Sequence, residues 1–132
     1  MKANKYLLAV ALSLLITTDV QAQEDVISRI GKPVPLQMEA TAYCIDGITA
    51  SGKQTRTGIC AMKKEWIGLT ATVYEDLDGG IGECLGIFEV EDTGGDERIK
   101  AGKCIDIYVG DYDKAVEFGR RKVIVFLTDA KG

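Results

Sequence analysis

Near the C-terminus five consecutive residues, Val123-Ile124-Val125-Phe126-Leu127, are apolar at every position. A strand with one solvated face alternates apolar and polar side chains, so an unbroken run marks a strand covered on both faces. In a chain of 132 residues, long enough for one domain, a small closed sheet covers both faces of such a strand. Four further β-rich runs stand between glycine turns: Met38 to Cys44, Leu69 to Tyr74, Leu85 to Glu91 and Ile105 to Val109. Turn signals fall at Asp46-Gly47, Ser51-Gly52, Asp78-Gly79-Gly80 and Thr93-Gly94-Gly95. One helix is expected over Tyr112 to Phe118, capped by Asp111 or Asp113 and ended by Gly119. The reading is mainly β, with one short helix.

The N-terminal residues read as an address. Lys2 and Lys5 precede an apolar run from Tyr6 to Ile16, and Val20 and Ala22 occupy small-residue cleavage positions, placing the cut at Ala22–Gln23. A retained anchor is the competing reading, but the run is shorter than the roughly 20 residues a bilayer span needs. Residues 1–22 are thus expected to be a signal peptide, with no membrane span after its cleavage, and the protein to be secreted or periplasmic. Residues 23–37 carry both prolines, Pro33 and Pro35, and read as a lead-in to a domain over residues 38–132.

Removing the leader takes away Lys2, Lys5 and Asp19 and leaves 14 basic and 19 acidic residues. An acidic domain without a basic run lacks the cations that neutralise phosphates, so nucleic acid is not an expected partner. A neutral or zwitterionic partner such as a glycan remains open.

Cys44, Cys60, Cys84 and Cys104 all follow the leader. An even number of cysteines in a small exported chain points to disulfides. Of three possible connectivities, Cys44–Cys60 with Cys84–Cys104 closes the shorter loops. A zinc site is the alternative, but the spacings of 16, 24 and 20 contain no Cys-x-x-Cys knuckle. No metal or cofactor is expected.

The chain has no histidine. That excludes a Ser-His-Asp triad and a Cys-His dyad and leaves proton transfer to Asp, Glu, Lys, Tyr or Cys. Two aspartates stand out. Asp92 sits in Glu91-Asp92-Thr93-Gly94-Gly95, where an apolar strand passes into a tight turn. Asp106 lies in Ile105-Asp106-Ile107-Tyr108, between β-branched residues. It either faces solvent by alternation or occupies a partly dry site, where its proton affinity would rise. The bland alternatives are a turn cap at Asp92 and an outward strand residue at Asp106. Trp66, in Glu65-Trp66-Ile67-Gly68, is expected to pack in the core rather than stack on a sugar.

Six segments occur in order: Ala40-Thr41-Ala42-Tyr43, Thr49-Ala50-Ser51-Gly52, Gly58-Ile59-Cys60-Ala61, Glu91-Asp92-Thr93-Gly94-Gly95, Ile105-Asp106-Ile107-Tyr108 and Glu117-Phe118-Gly119-Arg120. Together they resemble the 3D (three-aspartate) domain of bacterial cell-wall proteins, over roughly residues 38–128. That family is similar to the catalytic domain of membrane-bound lytic transglycosylase A, to rare lipoprotein A and, more distantly, to expansins. The resemblance implies a six-stranded double-psi β-barrel and cleavage of peptidoglycan glycan strands, with a 1,6-anhydro product. It further implies that Asp106 is the catalytic acid/base and that Asp92 positions the sugar or tunes Asp106. Thr41, Tyr43, Thr49 and Ser51 become expected sugar contacts. Tyr108, beside Asp106, is a candidate groove aromatic if alternation leaves Asp106 inward. The sequence departs from the family at Lys63, where the first aspartate is expected, and in the stretch near Asp96 to Ala101, which reads as an insertion. Loss of that aspartate could abolish activity, or Lys63 could replace it at the substrate site by holding the neighbouring carboxylate ionised, although an ionised Asp106 would be a poor general acid. The alternative function is a non-catalytic, wall-binding or wall-loosening module.

Overall fold

In the computed structural model, which describes residues 34–129, the doubly apolar run is a strand covered on both sides. Val123, Val125 and Leu127 point into the core, while the outward Ile124 is covered as well. Beside it on the outer face Phe126 meets Tyr74 edge-on, with ring centroids 5.8 Å apart. Six strands form: β1 (Pro35–Tyr43), β2 (Ile59–Ala61), β3 (Leu69–Asp76), β4 (Ile81–Asp92), β5 (Cys104–Tyr108) and β6 (Arg121–Asp129). They close in the order β1-β5-β2-β4-β3-β6, with β6 returning to β1. Two pairs are parallel, β1 with β5 and β2 with β4; the rest are antiparallel.

Alternation along each strand fills the interior. Leu36, Met38 and Ala40, then Cys60, Ala71, Val73, Val90, Ile105 and Ile107 join the β6 residues in one core. Burying each large aliphatic side chain contributes roughly 1.5–3 kcal/mol. Trp66 completes this cluster at 3% exposure, as expected.

The strand ends differ from the sequence reading by a residue or two at most places and by more at three: β4 begins at Ile81 rather than Leu85, and β1 and β2 depart as follows. β1 begins at Pro35 rather than Met38: Leu36 pairs with Val125, and Val34 and Leu36 are buried, so the end of the expected lead-in belongs to the sheet. Pro35 is tolerated because a strand's first residue need not donate to the ladder. β2 has only three residues, too few for any periodicity to register, yet it joins β4 to β5. The expected leader, residues 1–22, lies outside the described residues.

The helix α2 (Tyr112–Phe118) has the expected bounds; the Asp111 carboxylate accepts from the Lys114 amide at 3.1 Å, and Gly119 ends it at φ 64°. The stretch read as an insertion folds as a single turn, α1 (Glu97–Lys100), capped by Asp96 and anchored by buried Ile99.

On β4, Gly86 has φ 148°, and a Cβ there would stand 2.6 Å from Cζ of Phe88, whose ring covers the backbone. It lies where the register of β3 against β4 shifts between Val73 and Tyr74. Gly86→Ala is therefore expected to cost about 1–3 kcal/mol, a loss that thermal melting would show as several degrees.

All four cysteines are free thiols, so neither Cys44–Cys60 nor Cys84–Cys104 is formed. The topology explains why. Cys60 points into the core from β2, whereas Cys44 lies just past the end of β1; Cys84 and Cys104 are on β4 and β5, with β2 between them. Burial pushes the Cys60 and Cys104 thiols above their ordinary value, so they are poor nucleophiles as well as inaccessible. A thiol reagent is expected to modify exposed Cys84 first and half-buried Cys44 more slowly, reaching the other two only after unfolding. Absence of any thiol before reduction would contradict this arrangement.

Candidate functional site

The parallel pairing of β1 with β5 sets Thr41 opposite Asp106. Because Ile105 and Ile107 face the core, Asp106 between them faces outward, and the Thr41 hydroxyl donates to its Oδ1 at 3.0 Å. Asp106 is half-buried, and its carboxyl is raised above the usual aspartate value. Burial is the main cause; the Thr41 hydrogen bond opposes it, while the charges of Asp96 and Asp92 reinforce it.

Asp92 reaches the same face through a register shift. Between Cys60 and Ala61 the β2–β4 pairing slips, so Ala61 stands opposite Asp92 rather than Glu91. Ala61 is also the antiparallel partner of Asp106. The two carboxylates therefore flank one small residue, on strands about 10 Å apart. Asp92 Oδ1 accepts from the amides of Ala50, at 3.0 Å, and Thr93, at 2.9 Å. It thus caps its own turn and ties the 44–58 loop to the barrel.

That loop is held at two further points. Tyr108 is buried and its hydroxyl donates to Asp46, which raises the phenol's proton affinity. Arg56 grips Glu91 with both terminal nitrogens, at 2.6 and 2.5 Å, and also reaches Glu89 at 3.0 Å. The Glu91 side chain is only 5% exposed. Arg56, with Lys53 at 3.7 Å, lowers its carboxyl to about 2 against the cost of burial.

Of the expected sugar contacts, Thr41 and Tyr43 gather with Asp92 and Asp106. Tyr43 stacks edge-on against Tyr108, with centroids 5.4 Å apart; its phenol is raised by burial and by the charges of Asp92 and Asp106. Two expectations change. Tyr108 is spent on Asp46 rather than lining a groove. Thr49 is buried, its hydroxyl paired with Ser51 Oγ at 2.9 Å and accepting the Lys53 amide at 3.3 Å, so it caps a turn. Ser51 itself is exposed. Lys63 lies after β2 with its ammonium 5.6 Å from the centre of the Trp66 ring; the groups that set the proton affinity of Asp106 are Thr41, Asp96 and Asp92.

Nothing local in the sequence announces the Arg56–Glu91 clamp, which links a loop arginine to a strand 35 residues away. A cleft of about 170 Å³ opens beside it, lined by Ser51, Lys53, Ile67, Leu69, Glu89 and Glu91 among others. Asp106 is not part of that lining. Among the described residues no group of three or more His, Cys, Asp or Glu side chains is arranged to hold a metal, and no helix is long and apolar enough to cross a membrane.

Fold and site together define a small, closed, mixed β-structure that carries a partly dry aspartate beside a clamped loop. Among solved structures it is similar to the Streptomyces papain inhibitor (SPI), with a TM-score of 0.53 and 14% sequence identity over 71% of this chain and 94% of that one. At this identity the likeness speaks for the fold alone. No family model and no curated protein matches the chain.

Proposed function

We propose that the protein is an exported lytic transglycosylase that cleaves peptidoglycan glycan strands, with Asp106 as proton carrier, on a barrel of the double-psi type. The two parallel strand pairs support that finer description of the barrel. One observation carries the functional reading: Asp106 is a half-buried carboxyl raised by burial, with the Thr41 hydroxyl donating to it. Such a group holds a proton where an exposed aspartate would not, as a general acid must.

In this reading Asp106 protonates the oxygen linking N-acetylmuramic acid to N-acetylglucosamine, and the C1–oxygen bond breaks. The resulting carboxylate then takes the proton of the muramic C6 hydroxyl as that oxygen bonds C1, closing the anhydro ring and restoring the acid. A hydrolase needs a second carboxylate to activate water or attack directly. Here the substrate supplies its own nucleophile, so one acid/base suffices. Digestion of purified sacculi by the protein, read by mass spectrometry, tests this. Anhydro-muropeptides are expected; retention on sacculi without soluble product would instead indicate a wall-binding module.

A second reading is inhibition of papain, the activity in the name of the Streptomyces neighbour. It is favoured by Ile45 and Ile48, 76% and 69% exposed on a loop pinned at three points. Preorganised apolar tips of this kind bind without an ordering cost. Inhibition of papain by the protein, lost in Ile48→Ser, with no sacculus cleavage would establish it over the enzyme.

A further inference from the structure

Strand β4 is longer than its neighbours can cover. It pairs with β3 along one side, but β2 meets its other side only at Glu89, Val90 and Asp92. From Ile81 to Phe88 that second edge has no partner strand among the described residues. An open edge of this kind is a template for another strand.

This edge is apolar where it meets water. Asp76, Tyr74 and Thr72 are alternate residues of β3, so they share one face, and opposite them stand Ile81, Cys84 and Ile87. A register shift on each side of Tyr74 spaces these three residues by three rather than two, which leaves all of them on the outer face. Ile81 and Ile87 are 50% and 66% exposed, and Cys84 is an exposed free thiol.

The segment Ile81-Gly82-Glu83-Cys84-Leu85-Gly86-Ile87 reads nearly the same from both ends. Laid antiparallel on a second copy about Cys84, it sets Ile81 against Ile87, Gly82 against Gly86 and Cys84 against Cys84. The register shifts match as well, and Glu83 meets Leu85 rather than another glutamate. A foreign strand has no reason to meet all these conditions, whereas a two-fold pairing meets them by symmetry.

We propose that two copies of the chain pair antiparallel along the Ile81–Ile87 edge of β4 and that a Cys84–Cys84 disulfide locks the pair. Directly opposed residues of antiparallel strands have Cα atoms about 4.5–5.5 Å apart, a span that a disulfide bridges. An edge contact this short buries less than the roughly 1,200 Å² of a stable interface, so the reduced pair is short-lived and the covalent bond holds it. The oxidant is a disulfide donor of the kind present outside the cytoplasm. One Cys84 thiol gives its proton to water and attacks the donor, releasing a donor thiolate. The second Cys84 thiolate attacks this mixed disulfide and returns the free protein thiolate's place to a donor thiol, so the pair loses two electrons and the donor leaves as two thiols. The pairing is independent of the transglycosylase reading, which uses β4 only at Asp92.

The test is oxidation of the reduced whole protein in a glutathione redox buffer, with mass read without reduction. A dimer carrying one disulfide, mapped by peptide mass spectrometry to Cys84 of both copies, is expected, and none with Cys84→Ser. Ile87→Lys and Ile81→Lys each remove both isoleucine contacts of the symmetric pair, so each is expected to slow dimer formation about tenfold. Val116→Lys, at an exposed position on α2, should leave the rate unchanged. Glutathione-capped monomer as the sole product would overturn the proposal. So would a dimer linked through Cys44, or a rate in Ile87→Lys and Ile81→Lys equal to that of the wild type.

Discussion

Asp106→Asn is expected to lower release of anhydro-muropeptides by at least about 100-fold without lowering the melting temperature. The carboxamide keeps an acceptor for the Thr41 hydroxyl, so the hydrogen bond across β1 and β5 survives. The proton affinity of Asp106 is raised in the folded state, so its ionisation opposes folding. That opposition begins as pH rises past the ordinary aspartate value and is complete above the folded-state value. Removing the charge should therefore leave stability unchanged in acid and slightly raise it at neutral pH. A structural aspartate would behave in the opposite way, and a drop of several degrees at neutral pH would identify it as one.

Arg56→Ala is expected to have the largest effect on the folded state among the polar substitutions. It leaves Glu91 buried with only Lys53, 3.7 Å away, to answer its charge. An unpaired buried carboxylate is far more costly than a missing surface pair. Because Arg56 is itself half exposed, the expected fall is moderate, roughly 5–10 °C at neutral pH. The sign of its pH dependence follows from Glu91. A carboxyl depressed to about 2 in the folded state contributes stability above the ordinary glutamate value and loses it as pH falls towards 2. The deficit of Arg56→Ala should therefore shrink as pH falls through that window, and Glu91→Gln in the same background should restore most of the loss at neutral pH. An equal deficit at every pH would mean that Arg56 acts through packing of its stem alone.

What the sequence reveals of this molecule divides along physical lines. Long strands announce themselves by alternation: β6 by its double apolar face, β5 by Ile105 and Ile107 around Asp106. α2 is legible to the residue because Asp111 and Gly119 punctuate both ends. β2 is illegible because three residues have no period, and the start of β1 was hidden by Pro35, a breaker elsewhere but acceptable at a strand's first position. Within the site, Asp92 and Asp106 were visible as acids at a strand end and in an apolar run. Their common face was not, since it depends on a register slip at Cys60–Ala61 that only the assembled sheet determines. The partners of Tyr108 and Thr49 are hidden from the sequence for a related reason. Polar atoms in a loop read as available to a ligand until their partners, Asp46 and the Thr49–Lys53 turn, are known. Even counting and export context, which pointed to disulfides, say nothing of where side chains point; Cys60 points into the core, away from the loop that follows β1.

In the proposed reaction Asp106 carries a proton to a glycosidic oxygen and back from a sugar hydroxyl, with no water consumed. Digestion of sacculi in water enriched in heavy oxygen, followed by mass spectrometry of the soluble muropeptides, decides whether it does. Anhydro products containing no heavy oxygen, absent with Asp106→Asn, are expected. Labelled reducing ends, or no soluble product from the wild-type protein, would contradict it.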